Sequence, residues 1–374
     1  MSLKILVTGG AGFIGSHIVD ALIERGHRVR VFDSLHPRVH GQDGRIPDYL
    51  NPDAEFVRGD VRDYEALKKA MLDVDVVFHE AAAVGVGQSM YQVTEYCEIN
   101  IMGTANLLHV LANEKHHICK IIVASSMSIY GEGKYTCNPC GAVFPSLRRE
   151  EDMREGRWEM PCPCCGAIAH PAPTDEEKPL HPTSVYAVTK RDQEELFLSV
   201  GMAYKIPAVA LRYFNVYGSR QALSNPYTGV CAIFSTRLLH DKPPIIWEDG
   251  NQTRDFVHVS DIVQASILAL EKKEADYQAF NVGTGRAISI NEVARMLAGG
   301  LGRELKAEYP RKFRAGDVRH CYSDISKIKK MLEYSPKVSF EQGVPILIEW
   351  AREQKCDDLV ERAVAELRSK GLTT

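Results

Sequence analysis

The feature that most constrains this chain lies in its first twenty-five residues. An apolar run, Lys4 to Val7, leads into Thr8-Gly9-Gly10-Ala11-Gly12-Phe13-Ile14-Gly15, and a helical pattern spans Gly12 to Arg25. A buried strand, a glycine-spaced turn and a helix, in that order, open a βαβ unit. Glycines 9, 12 and 15 then have separate tasks: a tight turn, close backbone approach to a pyrophosphate, and close helix–strand contact. The helix start, at Phe13 and Ile14, offers unpaired N–H groups and a partial positive charge to phosphate. Asp33 closes the second apolar run, 18 residues after Gly15. A carboxylate there accepts hydrogen bonds from ribose hydroxyls and repels a 2′-phosphate, which favours NAD over NADP. The plainer reading of Asp33 is a turn cap before Ser34, and Arg38 and Arg45 downstream are candidate phosphate holders. Asp60-Val61, after the third run, suits either an adenine contact or a simple turn.

The alternation continues. Val29 to Phe32, Glu55 to Arg58, Val74 to His79 and Lys120 to Ala124 read as buried parallel strands, with helical patterns at Tyr64 to Met71 and Ile101 to Glu114. The expected fold is α/β, a Rossmann-type doubly wound parallel sheet with right-handed crossovers. Residues 1–131 form its dinucleotide-binding domain, and residues 132–181, rich in Pro, Cys, Glu and Gly, break the pattern as an insert. Residues 182–218 rejoin the first domain with a helix from Ser184 to Val200 and a strand at Ala208 to Arg212. Residues 219–374 are mainly a smaller C-terminal substrate domain, with 252–270 returning to the sheet layer and 341–370 forming surface helices.

Composition narrows the partners. Hydrophobic residues at 45% and charged residues at 25% fit a soluble globular protein. With 45 basic against 49 acidic residues and no basic block, a dedicated nucleic-acid binder is disfavoured. No apolar run is long enough to span a bilayer and the N-terminus lacks a signal-peptide shape, so a cytoplasmic protein without a membrane partner is expected.

Tyr186 and Lys190 lie four residues apart on the Ser184 to Val200 helix, which puts phenol and ammonium on one face. A neighbouring cation lowers a phenol's pKa and makes it a usable acid/base. A Tyr and a Lys on a solvated helix would be the plain alternative. Context argues otherwise, because Ser125-Ser126-Met127-Ser128 follows the fifth strand, at the edge where such sheets bind ligands. Ser, Tyr and Lys beside a nicotinamide make a hydride-transfer site.

Thr8 to Gly15, Asp33, Ser125 to Gly131 (SSMSIYG), Tyr186 to Lys190 (YAVTK) and Leu211 to Gly218 (LRYFNVYG) together resemble the extended short-chain dehydrogenase/reductase family. The likeness is to its NAD-dependent nucleotide-sugar epimerases and dehydratases, and it covers nearly the whole chain outside 132–181. The resemblance implies Tyr186 as acid/base and Lys190 as holder of the nicotinamide ribose, with Ser126 bonding the sugar oxygen being oxidised. It adds Ala81, Ala83 and Asn100 as cofactor contacts; Ser128, two residues after Ser126, offers a second hydroxyl to the sugar oxygen. Asn215, Arg254 and Arg314 correspond to contacts of the substrate's nucleotide diphosphate; surface pairing of the arginines with Asp255 or Asp317 is the alternative. A homodimer is implied as well.

Family members that dehydrate the sugar resemble one another in placing Asp-Glu after the Ser, and decarboxylases keep a Glu two residues before the YG tyrosine. Met127 and Ser128 stand there instead, and neither is an acid or base near neutral pH. What remains is inversion at C4 of a nucleotide-diphosphate sugar through a transient 4-keto sugar. Val84 occupies the place of a Lys in the UDP-galactose epimerases, which suits a 6-deoxy sugar, dTDP- or UDP-linked. Two rivals stand beside this: a reductase or dehydrogenase with net NAD(P)H turnover, and a non-enzymatic NAD-binding regulatory protein. Retention of both Tyr186 and Lys190 argues against the second.

Five of the ten cysteines fall between Cys137 and Cys165. Cys137-Asn-Pro-Cys140-Gly and Cys162-Pro-Cys164-Cys165-Gly read as two knuckles of a zinc-ribbon-like insert. Cys137, Cys140, Cys162 and Cys165 are the expected ligands of a structural zinc, with Cys164 as the variant. Four thiolates leave no open position for catalysis.

Overall fold

The computed structural model describes residues 2–314 and 316–373. Seven parallel strands form its central sheet: β1 (Lys4–Thr8), β2 (Arg28–Asp33), β3 (Glu55–Arg58), β4 (Val76–His79), β5 (Lys120–Ser126), β6 (Ala208–Tyr213) and β7 (Gln278–Val282). Their order is β3-β2-β1-β4-β5-β6-β7, so the chain reverses direction across the sheet between β1 and β4. That reversal is the topological switch point, where the crevice for a ligand opens.

The inner strands read as apolar runs because both sheet faces are covered. Ile5 and Val7 join one core with Val31, Phe78, Ile122 and Leu211, while Leu6 joins the other with Phe32, Val77, Ile121 and Ala210. Successive side chains thus alternate between two layers of helices. Phe13–Glu24 and Val259–Glu271 cover the first face; Tyr64–Ala70, Gly103–Asn113 and Val185–Tyr204 cover the second. Each fully buried Val, Leu or Ile in these layers contributes about 1.5–3 kcal/mol.

The strands expected from sequence lie where expected, with β1, β5 and β6 running one or two residues further, β2 one residue further at each end, and β4 starting two residues later, at Val76. β7 is new. Its sequence, Gln-Ala-Phe-Asn-Val, mixes polar and apolar residues because Asn281 is spent on hydrogen bonds beyond the sheet edge. Of residues 252–270, the helix packs against the sheet, but Phe256–His258 pairs outside it, parallel to Asn215–Tyr217.

The C-terminal region has its own core, with Tyr217 and Phe340 ring centroids 5.1 Å apart and Phe256 and Phe340 5.2 Å apart. A small sheet pairs Thr253–Arg254 with Ile288–Ser289 and His320–Cys321. The last helices are Phe340–Arg352, started by a capping box of Ser339 and Gln342, and Val360–Ser369. Among the described residues no helix is long and apolar enough to cross a membrane.

The insert, aperiodic in sequence, folds around a small core of Tyr135, Val143, Met160, Ala169, Cys137 and Cys162. Lys134–Cys137 is the middle strand between Gly141–Val143 and His170–Ala172, all antiparallel. Strands of three or four residues are too short to show a period.

Candidate active site

The turn after β1 is built by close backbone contacts. Gly9 has φ +69°, and a Cβ on it would lie 2.7 Å from the Ala81 nitrogen. A Cβ on Gly15 would lie 2.3 Å from the Gly9 carbonyl oxygen, so the helix can approach the turn only without a side chain there. Gly12 differs: its Cβ would meet only Gly9 O, at 3.2 Å, and the space beyond is open cavity. Gly12 precedes the Phe13–Glu24 helix as its N-cap, with no side chain covering the first N–H groups. This turn therefore leaves room for a phosphate against a helix N-terminus.

Asp33, at the end of β2, accepts hydrogen bonds from Ala11 N–H at 3.1 Å and Leu35 N–H at 2.8 Å. It caps its turn and also lines the cavity, so the two readings of this residue coexist. Arg38 is engaged by Glu95 at 2.8 Å and Arg45 sits beside Asp43, which leaves neither committed to a 2′-phosphate. Asp60 and Val61 line the same end of the cavity. Burial alone would raise the Asp60 carboxyl, but hydrogen bonds from Arg62 hold it below its usual range.

Ala81 and Ala83 form the cavity wall beyond β4. Asn100 does not line it. Fully buried, its amide accepts from Ala83 N–H at 2.7 Å and donates to Ala83 O at 3.1 Å and Thr189 Oγ1 at 2.9 Å. It pins the wall to the Val185–Tyr204 helix.

Ser126, Ser128, Tyr186 and Lys190 all line this cavity, which has a volume of about 490 Å³. Ser126 Oγ accepts from Ser128 N–H at 3.2 Å and Ser128 Oγ–H at 2.9 Å. Burial pushes the Tyr186 phenol above its ordinary pKa, and a hydrogen bond with Ser126 acts the other way. Burial brings the Lys190 ammonium down to about 8, opposed by the carboxylates of Glu80 and Glu194. Lys190 Nζ donates to Gln193 Oε1 at 2.6 Å, and Gln193 in turn donates to Thr104 Oγ1 at 2.8 Å. On the phenol itself, the cost of burying a phenolate thus prevails over the hydrogen bond with Ser126.

Sequence reasoning missed Glu80. Burial pushes its carboxyl up to about 7, against the nearby Lys190, and Tyr213 donates to it at 3.2 Å. Its signal was a carboxylate immediately after an apolar strand. Tyr130, the YG tyrosine, is structural: buried, it donates to Asn281 Oδ1 at 2.7 Å and accepts from Arg212 at 2.8 Å.

Asn215 lines the cavity, and its Oδ1 is buried without a hydrogen-bond partner among the described residues, as is Gln221 Oε1 nearby. Two orphaned acceptors in one cavity are the mark of a polar ligand site. Arg254 and Arg314 stand outside the cavity lining. Arg254 donates to the carbonyls of Thr253, Val318 and Arg319, while Phe256, two residues on, reaches the cavity. Arg314 forms the surface ion pair with Asp317, at 2.8 Å, and lies over the Trp247 ring.

The four sulfurs of Cys137, Cys140, Cys162 and Cys165 lie within 4.8 Å of one another, Cys137 and Cys165 at 3.5 Å. Although burial would raise Cys162, backbone N–H groups of Cys165 and Cys164 bring its thiol down to about 6. The neighbouring sulfur of Cys165 pushes Cys140 up. Cys164 is outside the cluster.

A doubly wound sheet with a glycine-cradled helix N-terminus and Ser, Tyr and Lys around one cavity defines a dinucleotide-dependent enzyme fold. The profile of the NAD dependent epimerase/dehydratase family matches residues 5–146, and that of GDP-mannose 4,6 dehydratase matches residues 166–347. The dTDP-L-rhamnose 4-epimerase of Burkholderia thailandensis is 36% identical over 94% of this chain and 95% of its own. The UDP-glucose 4-epimerase of Thermotoga maritima, solved with UDP-glucose, is 32% identical, with a TM-score of 0.75 over 94% of this chain and 99% of that one. The UDP-glucuronic acid 4-epimerase of Bacillus cereus, solved with UDP-glucuronic acid and NAD, is 30% identical, with a TM-score of 0.76 over 94% and 99%. This chain belongs to the NAD-dependent epimerase/dehydratase family.

Proposed function

We propose that the protein is an NAD-dependent nucleotide-sugar 4-epimerase, an isomerase that inverts C4 without net redox change. The observation that carries this reading is the meeting of Ser126, Tyr186 and Lys190 in one cavity with the glycine turn and Asp33. The open cradle at Gly12 and the N-terminus behind it fit a pyrophosphate, so the residues present fit NAD. Gly9, Gly12, Phe13, Ile14 and Gly15 would hold the pyrophosphate, Asp33 the ribose and Asp60 and Val61 the adenine. Ala81, Ala83, Tyr186 and Lys190 would hold the nicotinamide half, with Asn100 acting through Ala83. The bound cofactor supplies a reversible hydride acceptor.

Tyr186, in its phenolate form, takes the proton from the C4 hydroxyl as the hydride leaves and gives it back after the sugar has presented its other face. Ser126, backed by Ser128, donates to the C4 oxygen. The Lys190 ammonium stabilises the negative charge that develops there and on the phenol. Met127 packs at this site without any acid or base function, so elimination and decarboxylation lack a catalyst. Asn215 and Gln221 offer their unpartnered amide oxygens to the nucleotide sugar, and Arg254, two residues from cavity-lining Phe256, would turn from its carbonyl partners to hold the diphosphate. Val84 in the wall and the likeness to a dTDP-L-rhamnose 4-epimerase favour a 6-deoxy substrate such as dTDP-L-rhamnose.

The insert is a structural zinc site of Cys137, Cys140, Cys162 and Cys165. A tetrahedral Zn–S distance of about 2.3 Å requires sulfurs about 3.8 Å apart, which this cluster meets with small adjustment. The functional unit is a homodimer in the cytoplasm. Incubation with a panel of UDP-, dTDP- and CDP-sugars, followed by NMR at C4, tests the activity. A C4 epimer formed without added NADH is expected; steady consumption of NADH, or no change with any sugar, would contradict it.

A further inference from the structure

Residues 147–165 fall between the two family matches, yet they are bound tightly to the C-terminal region. Glu159 accepts from the Arg319 guanidinium at 2.5 Å and 3.2 Å, and its other oxygen lies 3.2 Å from His320 Nε2. Arg148 makes two parallel bonds to Glu248, at 2.8 and 2.7 Å, and Glu248 also takes Arg319 at 3.0 Å. At the start of the insert, Glu132 accepts the backbone N–H groups of Arg319 at 2.8 Å and His320 at 2.7 Å.

The other side of this segment faces Arg254. His320 Nδ1 pairs with Thr253 Oγ1 at 2.7 Å, and the Val318 and Arg319 carbonyls take the Arg254 guanidinium at 2.6 and 2.9 Å. The side chains of Arg148, Glu248 and Arg319 are 1%, 3% and 0% exposed, and Arg319 is held by Asp249 as well, at 2.7 and 3.1 Å, so it shares its charge among Glu159, Glu248 and Asp249. Such a network holds one arrangement of backbone, and here that backbone holds an arginine.

We propose that the insert is a brace for the diphosphate subsite, with Glu159 as a positioning residue that acts through Arg319 and His320 to aim Arg254. The inference rests on the reading of Arg254 given under the proposed function. Its ligand class is the nucleoside diphosphate portion of the substrate, whatever the sugar. The phosphate turn and the Ser126–Tyr186–Lys190 trio lie outside the network, so cofactor binding and hydride transfer do not depend on it.

The test is isothermal titration of the full-length, cofactor-loaded protein with dTDP and with UDP. Glu159 is 42% exposed, so Glu159→Gln keeps the fold while removing the charge. The Kd of both nucleotides rises roughly three- to thirtyfold, KM follows, and kcat and NAD affinity stay unchanged. Should that variant unfold, His320→Gln, one step nearer Arg254, carries the same expectation. Unchanged nucleotide affinity in Glu159→Gln, with weakened affinity in Arg254→Gln, overturns the brace alone. Unchanged affinity in Arg254→Gln overturns the reading of Arg254 and the brace with it. Equal weakening of nucleotide and NAD contradicts the proposal, since it shows general loosening.

Discussion

A Cβ on Gly15 would stand 2.3 Å from the carbonyl oxygen of Gly9, so turn and helix meet backbone to backbone. Gly12, three residues earlier, faces open cavity instead. The two glycines therefore fail differently when replaced. Gly15→Ala should displace the turn, costing about 1–3 kcal/mol and lowering Tm as well as NAD affinity. Gly12→Ala should keep the Tm while losing about tenfold or more in NAD affinity. Thermal unfolding and NAD titration of both variants check this, and equal behaviour would contradict the separate roles.

Lys190, its pKa brought down to about 8 by burial, carries a charge at neutral pH and loses it just above. A charge needed for catalysis that titrates there gives kcat an alkaline limb near pH 8, with activity falling as pH rises. The stability contribution runs the other way: the depressed pKa contributes stability above the ordinary lysine pKa and loses it as pH falls through about 8, so activity falls over a range in which stability rises. A kcat profile flat from pH 7 to 9 would show that Lys190 does not act as the ammonium (the pH limits are about one unit either side of the shifted value).

The cysteine cluster predicts one zinc per chain by metal analysis. Cys140→Ser, or chelation of the wild type, should lower Tm and expose the small core of Tyr135, Val143 and Met160. Metal-free protein with unchanged Tm would mean that the insert's own core suffices.

The last helix, Val360–Ser369, closes over the cavity wall. Tyr227, a lining residue, donates to Glu366 at 3.0 Å and its phenol oxygen is 2.9 Å from that of Tyr91. Leu367 packs against Gly87, whose Cβ would be 3.2 Å from Leu367 Cδ2. Leu367→Ala should cost about 2 kcal/mol and speed NAD release several-fold, read by stopped-flow displacement. Unchanged release would show that the helix covers the wall without holding it.

Much of this was legible in the sequence, for physical reasons. β1, β4, β5 and β6 announce themselves because a strand covered on both faces is apolar along its run, as Ile5, Leu6 and Val7 are, while β2 and the edge strand β3 show shorter apolar stretches between charged residues. The glycine turn is readable because its backbone contacts exclude all other residues. β7 was hidden because Asn281, buried at its centre, serves Tyr130 and the carbonyls of Thr174 and Asp324. Asn100 reads as a ligand contact from the family likeness, and only its neighbours reveal its bonds to Ala83 and Thr189. The grip of Glu159 on Arg319 spans 160 residues and has no local pattern. Partners that meet only in the folded chain are not written in spacing.

Tyr186→Phe should reduce turnover by roughly 10²–10⁴-fold while leaving nucleotide-sugar binding in place. Unchanged turnover would exclude the phenol as acid/base.

The most direct test follows the hydrogen itself. A nucleotide sugar carrying deuterium at C4 is converted by the protein without added cofactor, and the product is read by NMR and mass spectrometry. Return of the deuterium to C4 of the inverted product, with none in water, is the result expected of a hydride lifted and replaced within one closed cavity. Deuterium washed into solvent, or found on cofactor free in solution, would contradict it.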